Sequence, residues 1–290
     1  MKIIICGMSG FVGSALRTYL LKRSDTVVGL SIRTDTSVEK IVETIENADV
    51  VINLSGANIL GRWSESYKNI LRQSRLESTD KLVAAIAACN TPALTFINAS
   101  AVGIYDGDHQ HTEASEFFAN DFLATLVMDW EKAAFAAQKT RVCVMRFGVV
   151  LGKDGGAMQK MLPPFKMGLG GKMGDGTQMV SWIHLDDLVR ACTFLIDHAD
   201  LNGVVNFTAP HPLSNESQTK IIGKVLHRPT FFTLPAWLVK LAFGEGSSVM
   251  LDSKEVYPEK LLKNGFKFLR NALCKNRGHN RLWRCACRDC

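Results

Sequence analysis

Three glycines placed directly behind a short apolar run constrain this chain more than any other feature. Ile3–Cys6 is a continuous apolar stretch of strand length; Gly7, Gly10 and Gly13 follow it at three-residue intervals, with Phe11 and Val12 between the last two. They open a segment in which Leu16, Tyr19 and Leu20 fall at i, i+3 and i+4, one face of a helix. Glycines in this setting allow a tight turn and a close backbone approach, while the start of the helix presents unpaired N–H groups and the positive end of its dipole. Strand, glycine loop and helix in that order form a cradle for a dinucleotide pyrophosphate. The alternative is a tight turn without a ligand.

Strand and helix continue to alternate. Val27–Leu30, Val50–Leu54 and Leu94–Ala99 are further apolar runs, and Val38, Ile41, Val42 and Ile45 mark one helical face. Runs without polar alternation suit strands covered on both sides, and parallel strands need crossovers between them. Additional strands are expected at Val142–Arg146 and Val204–Thr208, with helices over roughly 65–89 and 121–138. The fold class is therefore α/β, a Rossmann-like doubly wound parallel sheet with a small, mainly helical C-terminal substrate lobe. Residues 1–150 form its dinucleotide-binding core, joined by later strands from about 178–210. Residues 151–177, rich in glycine and carrying Pro163 and Pro164, read as a long irregular connection; with 211–268 they make the substrate lobe. Residues 269–290 are a basic, cysteine-rich tail.

The formal charge of +6 tests whether nucleic acid is a partner. Residues 267–290 hold seven basic residues against Asp289, so everything before Lys267 sums to zero and the body lacks the basic stripe of a nucleic-acid-binding domain. Gly7 interrupts the first apolar run too early for a secretory signal. The longest uncharged stretch, Leu82–Tyr105, is broken by Asn90, Pro92, Asn98 and Gly103 and reads as helix, turn and strand, not a bilayer span. Cys6, Cys89, Cys143 and Cys192 lie in apolar segments, as buried thiols of a reducing compartment do. A cytoplasmic location, no membrane and no specific nucleic acid are the expectations. In the tail, Cys274, Cys285, Cys287 and Cys290 are too irregularly spaced for a zinc site, and no metal is expected.

Cofactor choice is read at the end of the second strand, where NAD-binding folds place a carboxylate on the adenosine ribose. Leu30-Ser31-Ile32-Arg33 stands there instead, which favours NADP(H), with Arg33 suited to a phosphate. Asp35 is the alternative ribose ligand if the strand runs two residues longer.

Asn53-Leu54-Ser55-Gly56, Arg62-Trp63, Ser74-Arg75-Leu76-Glu77-Ser78-Thr79, Trp130-Glu131, Met161-Leu162-Pro163-Pro164-Phe165, Trp182-Ile183-His184-Leu185-Asp186-Asp187 and Gly265-Phe266-Lys267-Phe268 together carry a resemblance. On these segments, about residues 1–268, the chain resembles the extended, epimerase-type short-chain dehydrogenase/reductases, and within them the atypical, YfcH-like group of epimerase family proteins. The resemblance implies that Leu54, Ser55 and Gly56 line the adenine and ribose side of the cofactor. It also implies that Arg75 reaches toward the cofactor and that Val150 lies near the nicotinamide. For Arg75 the alternative is a solvated helix residue paired with Glu77 or Asp80. Nucleotide sugars are the substrate class the resemblance suggests.

Short-chain dehydrogenases use a Tyr made acidic by a Lys four residues on, with a Ser that orients the substrate oxygen. Ser100, at the end of the Leu94–Ala99 run, is the candidate Ser. Four residues after Tyr19, Tyr67, Tyr105 and Tyr257 stand Arg23, Leu71, His109 and Leu261, so no Tyr-x-x-x-Lys pair exists. Counted back from Glu131, the expected positions hold Leu123 and Val127. Tyr105 is the best replacement acid/base, tuned by His109, Lys132 or His184; the alternative is that it packs at the pocket mouth. His184 is expected to be structural, with Asp186 or Asp187 capping a helix, and Phe147 and Trp182 suggest an apolar pocket wall. The expected function is that of an NADP(H)-dependent oxidoreductase or epimerase acting on a carbonyl or nucleotide-sugar-like small molecule. A non-catalytic NADP(H)-binding sensor is the alternative. The oligomeric state stays open, a homodimer being one option.

Overall fold

Six apolar runs pair into one parallel sheet: β1 (Lys2–Cys6), β2 (Thr26–Leu30), β3 (Val50–Asn53), β4 (Thr95–Ala101), β5 (Arg141–Phe147) and β6 (Gly203–Phe207). Their spatial order is β2-β1-β3-β4-β5-β6. The structure is a computed structural model describing residues 1–32, 35–153 and 155–270. Side-chain alternation assigns each strand residue to a face. Ile3, Ile5, Val50, Ile52, Ile97, Cys143 and Val205 pack against α1 (Phe11–Lys22) and α6 (Leu185–Asp197). Ile4, Cys6, Val51, Phe96 and Val144 pack against α2 (Val38–Ile45), α3 (Glu65–Ala88) and the end of α4 (Phe122–Phe135). Ile3, Ile4 and Ile5 are all 0% exposed, which is why β1 reads as an unbroken apolar run. On α1, Leu16 and Leu20 are buried as the spacing predicts, whereas Tyr19 lies at the edge of that face, exposed.

The chain leaves β1 to form β2 on one side and returns to form β3 on the other. This reversal opens a crevice beyond the carboxyl ends of β1 and β3, where open α/β sheets bind ligands.

The stretch expected to be irregular contains a helix, α5 (Gly156–Lys166). Met158, Leu162 and Phe165, at i, i+4 and i+7, bury together with Leu151, Trp182, Ala209 and Ile222, the last from α7 (Asn215–Leu226). Pro163 and Pro164 fall near the carboxyl end, where they subtract only two backbone donors. Packing of the apolar face outweighs that loss. Gly171–Met173 then pairs with Phe232–Leu234, just ahead of α8 (Ala236–Phe243). The stretch 255–268, grouped by sequence with the substrate lobe, packs on the central core: Leu261 and Phe266 join the α1–α6 cluster, and Val256 packs beside Tyr105.

Candidate functional site

Register brings the glycine loop and its neighbours to one level. Cys6 lies opposite Leu30 in β2 and opposite Asn53 in β3, so Gly7, Ser31 and Leu54 leave the sheet side by side. Leu54 N–H donates to the Cys6 carbonyl at 3.0 Å, holding the two loops together. Gly7 adopts φ +76, and a Cβ there would lie 2.8 Å from the Leu54 oxygen; at Gly13 it would lie 2.4 Å from the Gly7 oxygen. Neither position has room for a side chain.

The start of α1 differs from most of its neighbours. α2, α3, α4 and α7 are capped by the side chains of Ser37, Ser64, Asp121 and Ser214, and α6 by His184. α1 is capped by Gly10, which has no side chain, and its first turn holds no acid. The N–H groups of Phe11, Val12 and Gly13 therefore begin the helix without an intrahelical partner, a geometry that fits a pyrophosphate. Over this turn sits the loop that follows strand Val149–Gly152, the strand of Val150; a Cβ at Gly155 would lie 2.5 Å from the Phe11 ring.

A buried polar set fixes the neighbouring loop. Asn53 accepts from Ser55 N–H at 3.1 Å and donates to Asn98 Oδ1 at 2.8 Å and to Thr79 Oγ1 at 3.0 Å. Trp130 Nε1 donates to the same Thr79 hydroxyl at 2.9 Å. Arg75 lies against Gly56, its guanidinium carbon 3.3 Å from where a Cβ would stand. It donates to the carbonyls of Leu71 and Ala57, each at 3.1 Å, and lies 5.3 Å over the Trp130 ring. Burial pushes its pKa down to about 10. Neither Glu77 nor Asp80 pairs with it, and among the described residues no carboxylate lies within ion-pair distance. Arg75 is thus a half-buried cation at the loop that the resemblance expects beside the cofactor. Ser31 is exposed beyond β2; Arg33 lies outside the described residues, as do the four tail cysteines.

The polar groups at the ends of β4 and β5 are spent on one another. Ser100 is 3% exposed, and its Oγ donates to Glu131 Oε1 at 2.5 Å. Arg146, opposite Ser100 in the sheet, forks onto Glu131 with Nε at 2.7 Å and Nη2 at 2.6 Å, and donates from Nη1 to the Tyr105 oxygen at 2.8 Å. The Tyr105 hydroxyl in turn donates toward Asn206 Oδ1 at 2.9 Å and the Thr112 carbonyl at 3.1 Å. Its ring is 0% exposed and stacks on His111 at 4.5 Å. Burial raises the Tyr105 pKa above 10 against the opposing pull of Arg146. The two nominated catalytic hydroxyls are therefore joined, through Glu131 and Arg146, in a closed chain of hydrogen bonds. Tyr105 packs inside the core, not at the pocket mouth. Of its proposed tuners, His109 is held by Asp106 at 2.8 Å and stacks on Phe117, and His184 caps α6 by accepting from Asp186 N–H at 3.1 Å.

Asp186 and Asp187 do not cap that helix. Asp187, 0% exposed, accepts from Leu269 N–H, Arg270 N–H and Arg190, clamping the chain after residue 268. Trp182 lies in the lobe core and donates to the His211 carbonyl.

Where a Tyr-Lys pair belongs, the surface is apolar. Leu123 lies over Gly103 so closely that a Cβ there would meet it at 2.5 Å, and Val127 is 2% exposed. Arg146 carried a signal, a lone charge inside the apolar run Val142–Phe147 that marks a buried ion in need of a partner; Glu131, between Asp129 and Lys132 on α4, carried none.

A family model, the NAD dependent epimerase/dehydratase family, matches residues 3–207, and a domain of unknown function, DUF1731, matches residues 234–274. An epimerase family protein of Staphylococcus haemolyticus is 37% identical over 283 residues, covering 92% of this chain and 94% of its own length. The crystal structure of human epimerase family protein SDR39U1 (isoform 2) with NADPH is similar at a TM-score of 0.87 and 32% identity, covering 94% of this chain and 96% of that one. That of the nucleoside-diphosphate sugar epimerase from Corynebacterium glutamicum is similar at a TM-score of 0.74 and 31% identity, covering 94% of this chain and 56% of that one.

Proposed function

Because the chain belongs to the NAD dependent epimerase/dehydratase family, we propose that it holds NADP(H) in the crevice beyond β1 and β3 and acts as an oxidoreductase or epimerase on a nucleotide-sugar-like carbonyl compound. The observation that carries this is the start of α1: unlike α2, α3, α4, α6 and α7 it has no side-chain cap, its first-turn N–H groups are open, and it stands level with the Leu54-Ser55-Gly56 loop. Phe11, Val12 and Gly13 would hold the diphosphate through their N–H groups. Ser31 and Arg33 would take the 2′-phosphate, as an Arg fork and a missing carboxylate favour, and the human relative's structure is described with NADPH. Arg75 adds a positive charge beside Gly56, and Val150 offers an apolar wall. The bound nicotinamide supplies or accepts hydride. Leu123 and Val127 exclude water from the wall where a proton relay would stand, and the Glu131–Arg146 pair fixes α4 against β5.

Calorimetric titration with NADPH and NADH tests the cofactor. NADPH is expected to bind at least about tenfold more tightly, and Arg33→Ala to remove that preference. No heat with either nucleotide overturns the assignment.

A second reading is favoured by one specific observation: Ser100 and Tyr105 are committed inside the fold, and no Tyr-x-x-x-Lys pair exists. In it the chain senses NADP(H) and passes that state to a partner without turnover. A screen of carbonyl compounds and nucleotide sugars, following NADPH absorbance and sugar exchange, separates the two. Turnover selects the enzyme; stoichiometric binding without turnover selects the sensor.

A further inference from the structure

The substrate lobe carries an apolar face with no partner among the described residues. α8 buries Val239 and leaves Trp237 and Leu241 64% and 63% exposed. In the strand just before it, Phe232 and Leu234 face outward, with Phe231 77% exposed ahead of them. Leu169, 58% exposed, precedes Gly171, the residue paired with Phe232. Single exposed apolar residues are ordinary, but a run joined by strand pairing and by chain continuity is not.

Charge says what covers it. The zero sum before Lys267 hides a polarity. Residues 155–177 carry Lys160, Lys166 and Lys172 against Asp175, and residues 211–244 carry Lys220, Lys224, Arg228 and Lys240 against Glu216. These two segments hold five net positive charges, and the remainder of residues 1–266 holds five net negative ones. Lys240 stands on α8 among the exposed apolar side chains, and Lys166 directly precedes the exposed Met167 and Leu169, whereas Lys172, in register with Thr233, faces the other side of the ribbon beside Glu216.

We infer that this face seats on an anionic lipid bilayer, with Trp237, Leu241 and Phe232 entering the headgroup boundary and the surrounding lysines meeting lipid phosphates and carboxylates. Aromatic and aliphatic side chains ringed by lysine are the pattern of an interfacial surface. A second copy fits less well, because a twofold contact sets one basic lobe against another. None of the described helices is long and apolar enough to cross a membrane, and surface seating requires no such helix. The sequence expectation of no membrane rested on spans alone.

Sedimentation of the full chain with vesicles of phosphatidylcholine and phosphatidylserine in equal parts, beside vesicles of phosphatidylcholine, tests this. The chain is expected to sediment with the mixed vesicles only and to be released by salt. The pair Trp237→Glu with Leu241→Glu, and separately Lys166→Glu with Lys240→Glu, are each expected to lower partitioning at least about tenfold, with the thermal melt unchanged. Three results overturn the inference. One is no sedimentation with the mixed vesicles. Another is sedimentation that survives both pairs, which assigns binding to the basic residues after 270. The third is a mass of two chains in solution that reverts to one in Trp237→Glu with Leu241→Glu, which assigns the face to a second copy.

Discussion

The two halves of the sheet edge are built on opposite plans. Beyond β1 and β3, glycines replace side chains, α1 begins with unpartnered N–H groups, and a half-buried Arg75 stands without a carboxylate among the described residues. Beyond β4 and β5, Ser100, Glu131, Arg146, Tyr105 and Asn206 satisfy one another, and Leu123 and the buried Val127 pack beside them. One half leaves its polar groups open, the arrangement a ligand site needs; the other uses them to hold the fold. Polar residues at a sheet edge therefore do not by themselves mark chemistry; what matters is whether their partners lie inside the protein.

The largest effect is expected on the closed side. Arg146→Met leaves Glu131 buried with only Ser100 as partner, and breaking such a pair costs about 3–5 kcal/mol. At roughly 2–4 °C per kcal/mol for a chain of this size, the melting midpoint falls by about 6–20 °C. Glu131→Leu combined with Arg146→Met is expected to recover most of that loss, because no lone charge remains. Chemical denaturation of both variants measures it. A single variant as stable as wild type but unable to turn over substrate would make the pair functional and erase the contrast between the halves.

On the open side the expected loss is in affinity. A Cβ at Gly13 would meet the Gly7 oxygen at 2.4 Å and the Met8 Cα at 2.7 Å, both backbone atoms that cannot yield without moving the loop. Overpacking of this kind costs about 1–3 kcal/mol, so Gly13→Ala is expected to weaken dinucleotide binding by about 5- to 150-fold. Gly10→Ala, whose Cβ would lie 3.2 Å from the same oxygen, is expected to cost only a few-fold. Titration of both variants sharpens the contrast if Gly13 exceeds Gly10; equal losses would mean that the first turn of α1 is not packed against Gly7 and Met8 as described.

What sequence made legible divides along the same line. The six strands, α3, α4 and the glycine loop follow from local features: apolar runs, helical spacing, and glycine behind a strand. The role of Ser100 does not, because Ser100 meets Arg146 only through the register of β4 with β5, and Glu131 only through the packing of α4. α5 was hidden by Pro163 and Pro164, whose local cost is read more easily than the distant burial of Met158 and Phe165. His184 took the cap expected of Asp186 or Asp187 because the helix begins at Leu185, which puts both acids inside its first turn and leaves Asp187 to the backbone of Leu269 and Arg270.

Ser100→Ala is a milder probe of the closed side. It removes one donor from Glu131 Oε1, which keeps its bond from Arg146 Nε at 2.7 Å. The expected cost is about 1 kcal/mol of stability, with dinucleotide affinity unchanged. A loss of turnover at unchanged stability would return Ser100 to the chemistry.

The smallest effect is a pH dependence at the back of the same network. His111 stacks on Tyr105, donates from Nε2 to the Asp106 carboxylate, 3.1 Å away, and has no partner for Nδ1 among the described residues. Burial lowers its pKa below the ordinary 6.5, against the opposing charge of Asp106, so the folded chain resists a proton that the unfolded chain accepts. Below 6.5 the unfolded state binds more protons, and stability falls with pH through the window between 6.5 and the lower folded value. Above that window the contribution is complete. His111→Phe keeps the stack and removes the titration, so its melting midpoint is expected to hold steady from neutral into mildly acid solution while that of wild type declines. A decline shared by both proteins would place the proton elsewhere, with Glu113 excluded: burial raises its pKa, and protonation through its window favours the folded state as pH falls.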